Sequence, residues 1–159
     1  MPHTYTATVR WQRGEQTFTD NKYSRAHDLV FDGGAVVRGS PAPSVVRPPF
    51  SDPAAVDPEE ALVAALSACH MLFFLHLAGR GGFRIDSYED AAVGEMTNND
   101  AGKLFMSKVT LSPRIVFSGA KRPTAEEVAA MHHKSHEECY IANSVKSEVV
   151  VADVAPIYA

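Results

Sequence analysis

DPEEALVAALSACHMLFFLHLAG, residues Asp57 to Gly79, is the stretch from which the fold can be read, because both of its ends carry helix-end residues. Asp57 can accept a hydrogen bond from a free first-turn N–H, and Pro58 fits the first helical position, where its missing N–H costs nothing. Glu59 and Glu60 set negative charge at the positive end of the helix dipole, and Gly79 offers a left-handed stop. Leu62, Leu66, Cys69, Phe73 and Leu77 recur at steps of three and four, which places a cysteine inside an apolar stripe. No Asp, Glu, Lys or Arg lies between Ala61 and Gly79, so most of the helix circumference is expected to be buried.

The segment is also long enough to span a bilayer. Ser67, His70 and His76 interrupt it, its alanines lower its hydrophobicity and two glutamates open it, so a core helix is the expectation. One domain of this size does not surround a helix on all sides. Burial all round therefore points to a dimer whose second copy covers the remaining face.

Working outward, Tyr5–Trp11 alternates like a strand. His27–Phe31 and Ala35–Arg38 flank Asp32-Gly33-Gly34 as a hairpin. Ser40–Pro58 holds six prolines and reads as an ordered loop of the kind that lines sites. Beyond the helix, Ser87–Met96 and Lys103–Phe117 read as two long strands. In the second, Phe105, Val109, Leu111, Ile115 and Phe117 share one face, with Met106, Lys108, Thr110, Ser112 and Arg114 on a wet one. Thr124 and Glu127 form a capping box opening a second helix that runs toward Cys139, and Lys146–Val154 is a last strand. This order predicts one α+β domain over 1–159 with mainly antiparallel pairing.

The chain has 159 residues, 45% of them hydrophobic and 21% charged, the composition of a globular domain with a substantial core. A net charge of −4 without a basic cluster argues against a nucleic-acid partner. Two cysteines do not make a disulfide scaffold, and MPHTYTATVRWQRGE does not resemble a secretory signal, so the expected compartment is the cytoplasm with reduced thiols.

By spacing alone Cys69 and Cys139 read as small core residues, since free cysteine is among the most buried types. A reactive thiol needs a cation, a helix N-terminus or a donor beside it. Arg25, in a turn between strands, is a candidate cation, with Arg38 and Arg47 as alternatives. Glu59 stands ten residues before Cys69, roughly 15 Å of helical rise, so it can act on the thiol only through an arginine between them. A rival constellation is His132, His136 and Cys139 at i, i+4 and i+7, a spacing that could hold zinc with a further ligand from Cys69 or His70. His133 falls on a different face and reads as surface.

DPEEALVAALSACHMLFFL, followed 70 residues after its cysteine by HEECYIANSVKSEVVV, resembles the OsmC/Ohr family of thiol-dependent organic hydroperoxide peroxidases. The resemblance covers nearly the whole chain. It rests on the Asp-Pro-Glu helix start, the ten-residue step from that Glu to a cysteine, and a second cysteine just before the final strand. It implies an OsmC-like fold, an intertwined homodimer with antiparallel sheets around two long central helices. It also implies a peroxidatic Cys69, a resolving Cys139, and Arg25 held by Glu59 beside the attacking sulfur. No bound cofactor or metal is implied. The reductant would be an external dithiol, a lipoyl-type one among the candidates, and the substrate an organic hydroperoxide. No nucleic-acid or membrane partner is expected.

Overall fold

The computed structural model describes residues 2–153 and 155–159. They form two compact units that divide at Ala61/Leu62. The first holds a three-stranded antiparallel sheet, β1 (Ala7–Arg10), β2 (His27–Phe31) and β3 (Val36–Gly39), in the order β1-β2-β3. The expected hairpin is present, with Gly34 at φ +87, where a side chain would be strained. The proline-rich loop is ordered. Ser40 is buried, its Oγ accepts from the Asp52 N–H at 2.8 Å, and its N–H donates to the Val56 carbonyl at 3.1 Å.

Helix α1 (Pro58–Arg80) starts on a reciprocal cap. The Glu60 N–H donates to Asp57 Oδ1 at 2.7 Å, and the Asp57 N–H donates to Glu60 Oε2 at 3.1 Å. The stop differs from expectation. Gly79 and Arg80 stay helical, and the left-handed residue is Gly82 at φ +75. There the Phe83 N–H reaches the Ala78 carbonyl and the Gly82 N–H reaches that of Gly79, the paired bonds of a Schellman end. Several glycines follow the helix, and the one whose two neighbouring bonds close the last turn wins.

The second unit contains β4 (Arg84–Asp90), β5 (Val93–Asn98), β6 (Leu104–Leu111), β7 (Pro113–Ser118), α2 (Ala125–Glu138), a 3-10 turn (Ala142–Ser144), β8 (Glu148–Val151) and β9 (Ile157–Tyr158). The Thr124–Glu127 capping box is formed as read from sequence. Both long strands are broken in two, and the halves go to different sheets, β4-β7-β9 and β5-β6-β8. The pairings β6–β8 and β7–β9 are parallel, so the unit is mixed and not simply antiparallel. The expected last strand survives as β8, and Val154 lies outside the described residues.

Asp90 ties this corner. Its carboxyl oxygens accept the Ser112 N–H at 2.6 Å and the Ser67 hydroxyl of α1 at 2.5 Å. Asp90→Ala strands both donors and is expected to lower the unfolding free energy by about 2–4 kcal/mol in urea titration. Asp90→Asn should cost less than half of that, because the Ser67 hydroxyl can turn to accept from the new amide.

Two apolar clusters flank α1. Phe74 and Ala78 join Ile115, Phe117 and Val128, while Leu66 joins Met106, Val109 and Leu111. Val109, Leu111, Ile115 and Phe117 bury as expected, but Met106 replaces Phe105. Glu95 pairs with Lys108 and Met96 with Met106, so the extra residue Ser107 bulges and reverses the in–out parity.

The buried stripe of α1 is Leu66, His70, Phe74 and Ala78, and not the one through Cys69 and Phe73. Leu72 is 63% exposed, so one chain does not bury most of the circumference. By length and composition alone α1 could also cross a membrane.

Candidate functional site

The two thiols meet. Cys69 is half-buried on α1, and Cys139, 1% exposed, is the C-cap residue of α2. Burial first, and then the neighbouring Cys69 thiol, push the Cys139 thiol up to about 11, so it keeps its proton at neutral pH. The Ala142 N–H donates to Cys139 Sγ at 3.4 Å, which holds that sulfur in the turn after the helix. Next to this pair the Phe73 and Tyr140 rings meet edge to face, centroids 5.1 Å apart, so adjacent residues of α1 and the turn are clamped together. Both cysteines are free thiols in this structure.

On the next residue of α1, on a different face of the helix, lies a contact that sequence reasoning did not find. His70 Nε2 and His132 Nδ1 are 3.0 Å apart in the core. The ring centroids are 5.3 Å apart and the planes differ by 12°. That separation leaves little beyond the two centre-to-nitrogen radii, so the rings meet edge to edge nearly in line, one donating and the other accepting. Phe74 covers His132 at 4.3 Å. Burial holds both imidazoles at about 4. A nearby His136 adds to the lowering at His70, Asp90 opposes it there, and His70 adds to it at His132. Both rings are therefore neutral near pH 7. The outer nitrogens, His70 Nδ1 and His132 Nε2, are buried and find no partner among the described residues, as is true of Tyr88 Oη and His136 Nδ1. Burial and the Asp90 charge raise the Tyr88 phenol above its ordinary range.

In the first unit Arg25 and Glu59 line one cavity of about 250 Å³ with His27, Pro41, Ala42, Val45 and Pro58. The guanidinium donates to the Tyr23 carbonyl at 2.8 Å and to the Asn21 carbonyl at 3.3 Å, and lies 4.2 Å over the Tyr23 ring. No Arg25–Glu59 ion pair forms among the described residues. Arg38 is committed to Asp28 at 3.0 Å on the neighbouring strand, and Arg47 is exposed in the proline-rich loop.

The rival zinc constellation does not assemble. His132 Nδ1 is taken by His70, and among the described residues no three His, Cys, Asp or Glu side chains are grouped to hold a metal. His133 faces water and meets Glu137 at 3.2 Å, as a surface residue should.

Of the signals missed in the sequence, a histidine in an uncharged helix was the readable one: His70 occupies a buried slot that an apolar residue would ordinarily take. Its partner, 62 residues away, carried no local mark.

Comparison with known proteins agrees with this architecture. No curated protein matches the chain. An OsmC-like protein of unknown function from Vibrio cholerae superposes with a TM-score of 0.94 at 49% identity, covering 96% of this chain and 100% of that one. An OsmC-like protein from Mycoplasma pneumoniae gives a TM-score of 0.71 at 15% identity, with 99% of each chain covered. An organic hydroperoxide resistance protein from Elizabethkingia anophelis gives 0.64 at 14%, covering 100% of this chain and 97% of that one, a likeness of fold. The family model described as OsmC-like protein matches residues 51–152, and the chain belongs to that family.

Proposed function

We propose that this protein is a thiol-dependent peroxidase that reduces organic hydroperoxides to alcohols. The observation that carries the reading is the proximity of Cys69 and Cys139, in which a buried thiol that keeps its proton lies beside a more accessible one. Such a pair divides the labour. The Cys69 thiolate attacks the distal peroxide oxygen, the O–O bond breaks, and the leaving alkoxide takes a proton to become the alcohol. The Cys139 sulfur then attacks the Cys69 sulfenic acid, forming a disulfide and releasing water. An external dithiol reduces that disulfide by exchange, restoring both thiols and carrying the two electrons away as its own disulfide.

Membership of the OsmC-like family supports this reading, as does the fold shared with proteins named for organic hydroperoxide resistance. The apolar residues of α1 left in water, Leu72 among them, support a homodimer in which a second copy covers that face.

Arg25 is assigned to the thiolate and peroxide, with Glu59 orienting it. Their shared cavity supports the assignment, although in this structure the guanidinium is tied to Tyr23 and Asn21.

The test is hydroperoxide consumption by the purified protein, with lipoyl-type and other dithiols compared side by side. Multiple turnovers with an alkyl hydroperoxide are expected, and their absence with every dithiol would refute the reading. Arg25→Ala is expected to slow alkylation of Cys69 much more near neutral pH than at pH 10. Equal slowing at both values would assign Arg25 to access alone.

A further inference from the structure

The thiols sit on two different helices, and what joins those helices between the apolar clusters is polar. His70 is the residue after Cys69 on α1, and His132 lies two turns before Cys139 on α2. We propose that the His70–His132 hydrogen bond is an acid-release clasp: these two positioning residues hold the Cys69 and Cys139 sulfurs within reach of each other, and protonation lets them part. The inference extends the two-thiol reading, and it would stand even if the physiological oxidant were not a peroxide.

The chemistry follows from the in-line geometry. Two neutral imidazoles share one N–H between facing nitrogens 3.0 Å apart. One added proton leaves that bond but places a charge in the core, 1% and 8% exposed at the two residues, where the outer nitrogens have no acceptor among the described residues. A second proton removes the accepting lone pair and sets two N–H groups head to head. The groups facing the pair do not counter this fully. Asp90 on β4 favours a proton on His70, but its oxygens are occupied by Ser67 and Ser112. Tyr88, also on β4, remains a neutral phenol, and His136 on α2 disfavours a charge on His70. Phe74 offers only a ring. Burial places both protonations at about 4, so the clasp is closed at neutral pH and opens in acid.

The test reads sulfur proximity without peroxide or any redox step. Phenylarsine oxide bridges two neighbouring thiols, forming two As–S bonds and releasing one water, and intact mass counts the bridged chains. Dithiothreitol titrated in parallel corrects for the reagent's own pH dependence, and circular dichroism follows the helices. With two sites at about 4, about a quarter of the chains keep both rings neutral at pH 4. The corrected capture by the wild type is therefore expected to fall between pH 6.5 and pH 4 while the helical signal persists. The fall is about a quarter if only the second proton opens the clasp, and up to about fourfold if the buried charge of the first suffices. His132→Asn and His70→Gln each keep a hydrogen-bonding atom where the lost ring nitrogen stood, and they remove one titrating group. Capture by these variants should match the wild type at pH 7 and fall less in acid.

Equal acid loss in wild type and variants would overturn the clasp, as would loss that tracks unfolding. Flat capture in the wild type would do the same, and two variants that fail to fold would assign the imidazoles to packing alone. Loss of peroxide turnover with this pattern intact would instead count against the peroxidase reading.

Discussion

Between pH 7.5 and pH 5 the free energy of unfolding is expected to fall by about 3–4 kcal/mol through His70 and His132 alone, a large share of a typical domain's stability. Both imidazoles are held at about 4 when folded, below the ordinary 6.5, by burial above all. The unfolded chain therefore takes up protons first as pH falls. The contribution is whole above pH 6.5, is lost progressively below it, and changes no further once pH is under about 4. Carboxylates add little over this window, since their ordinary values lie lower.

Urea titrations at half-unit steps of pH, with the double variant His70→Gln/His132→Asn as control, measure the effect. The wild type should lose stability steeply between pH 6.5 and 5, and the double variant should be nearly flat. A wild-type curve that is level across this interval would mean that water reaches the pair, and the buried N–H···N bond would have to be abandoned.

The second large effect concerns the two sulfurs. Cys69→Ser is expected to abolish hydroperoxide consumption, because no other group at the site can be reversibly oxidised in its place. Cys139→Ser should still consume about one equivalent per subunit and then stop, leaving a sulfenic acid at Cys69 that a dimedone-type reagent traps. The asymmetry follows from position. Cys69 is the more accessible sulfur, while Cys139 is 1% exposed and keeps its proton. Mass spectrometry of the oxidised wild type should find the Cys69–Cys139 disulfide within one chain. Equal consumption by the two serine variants would reverse or erase this division of roles.

What the sequence by itself determined is what adjacent residues can settle. Asp57-Pro58-Glu59-Glu60 marks a helix start because the groups that satisfy free N–H donors lie within one turn, and the cap forms as read. Thr124 with Glu127 and the Gly33-Gly34 hairpin are equally local, and they too are present. The family resemblance added the expected pairing of Cys69 with Cys139, which composition and spacing alone would have left as two core residues.

Tertiary structure decided the rest, wherever the free energy lay in contacts between distant residues. The break in each long strand depends on Asp90 reaching Ser112 and Ser67, and the burial of Met106 in place of Phe105 depends on a bulge at Ser107. A histidine on the buried stripe of α1 looks costly until His132, 62 residues on, supplies the other half of its hydrogen bond. Neither residue records that bond in its own neighbourhood, because what makes a buried polar group tolerable is the partner the fold brings to it.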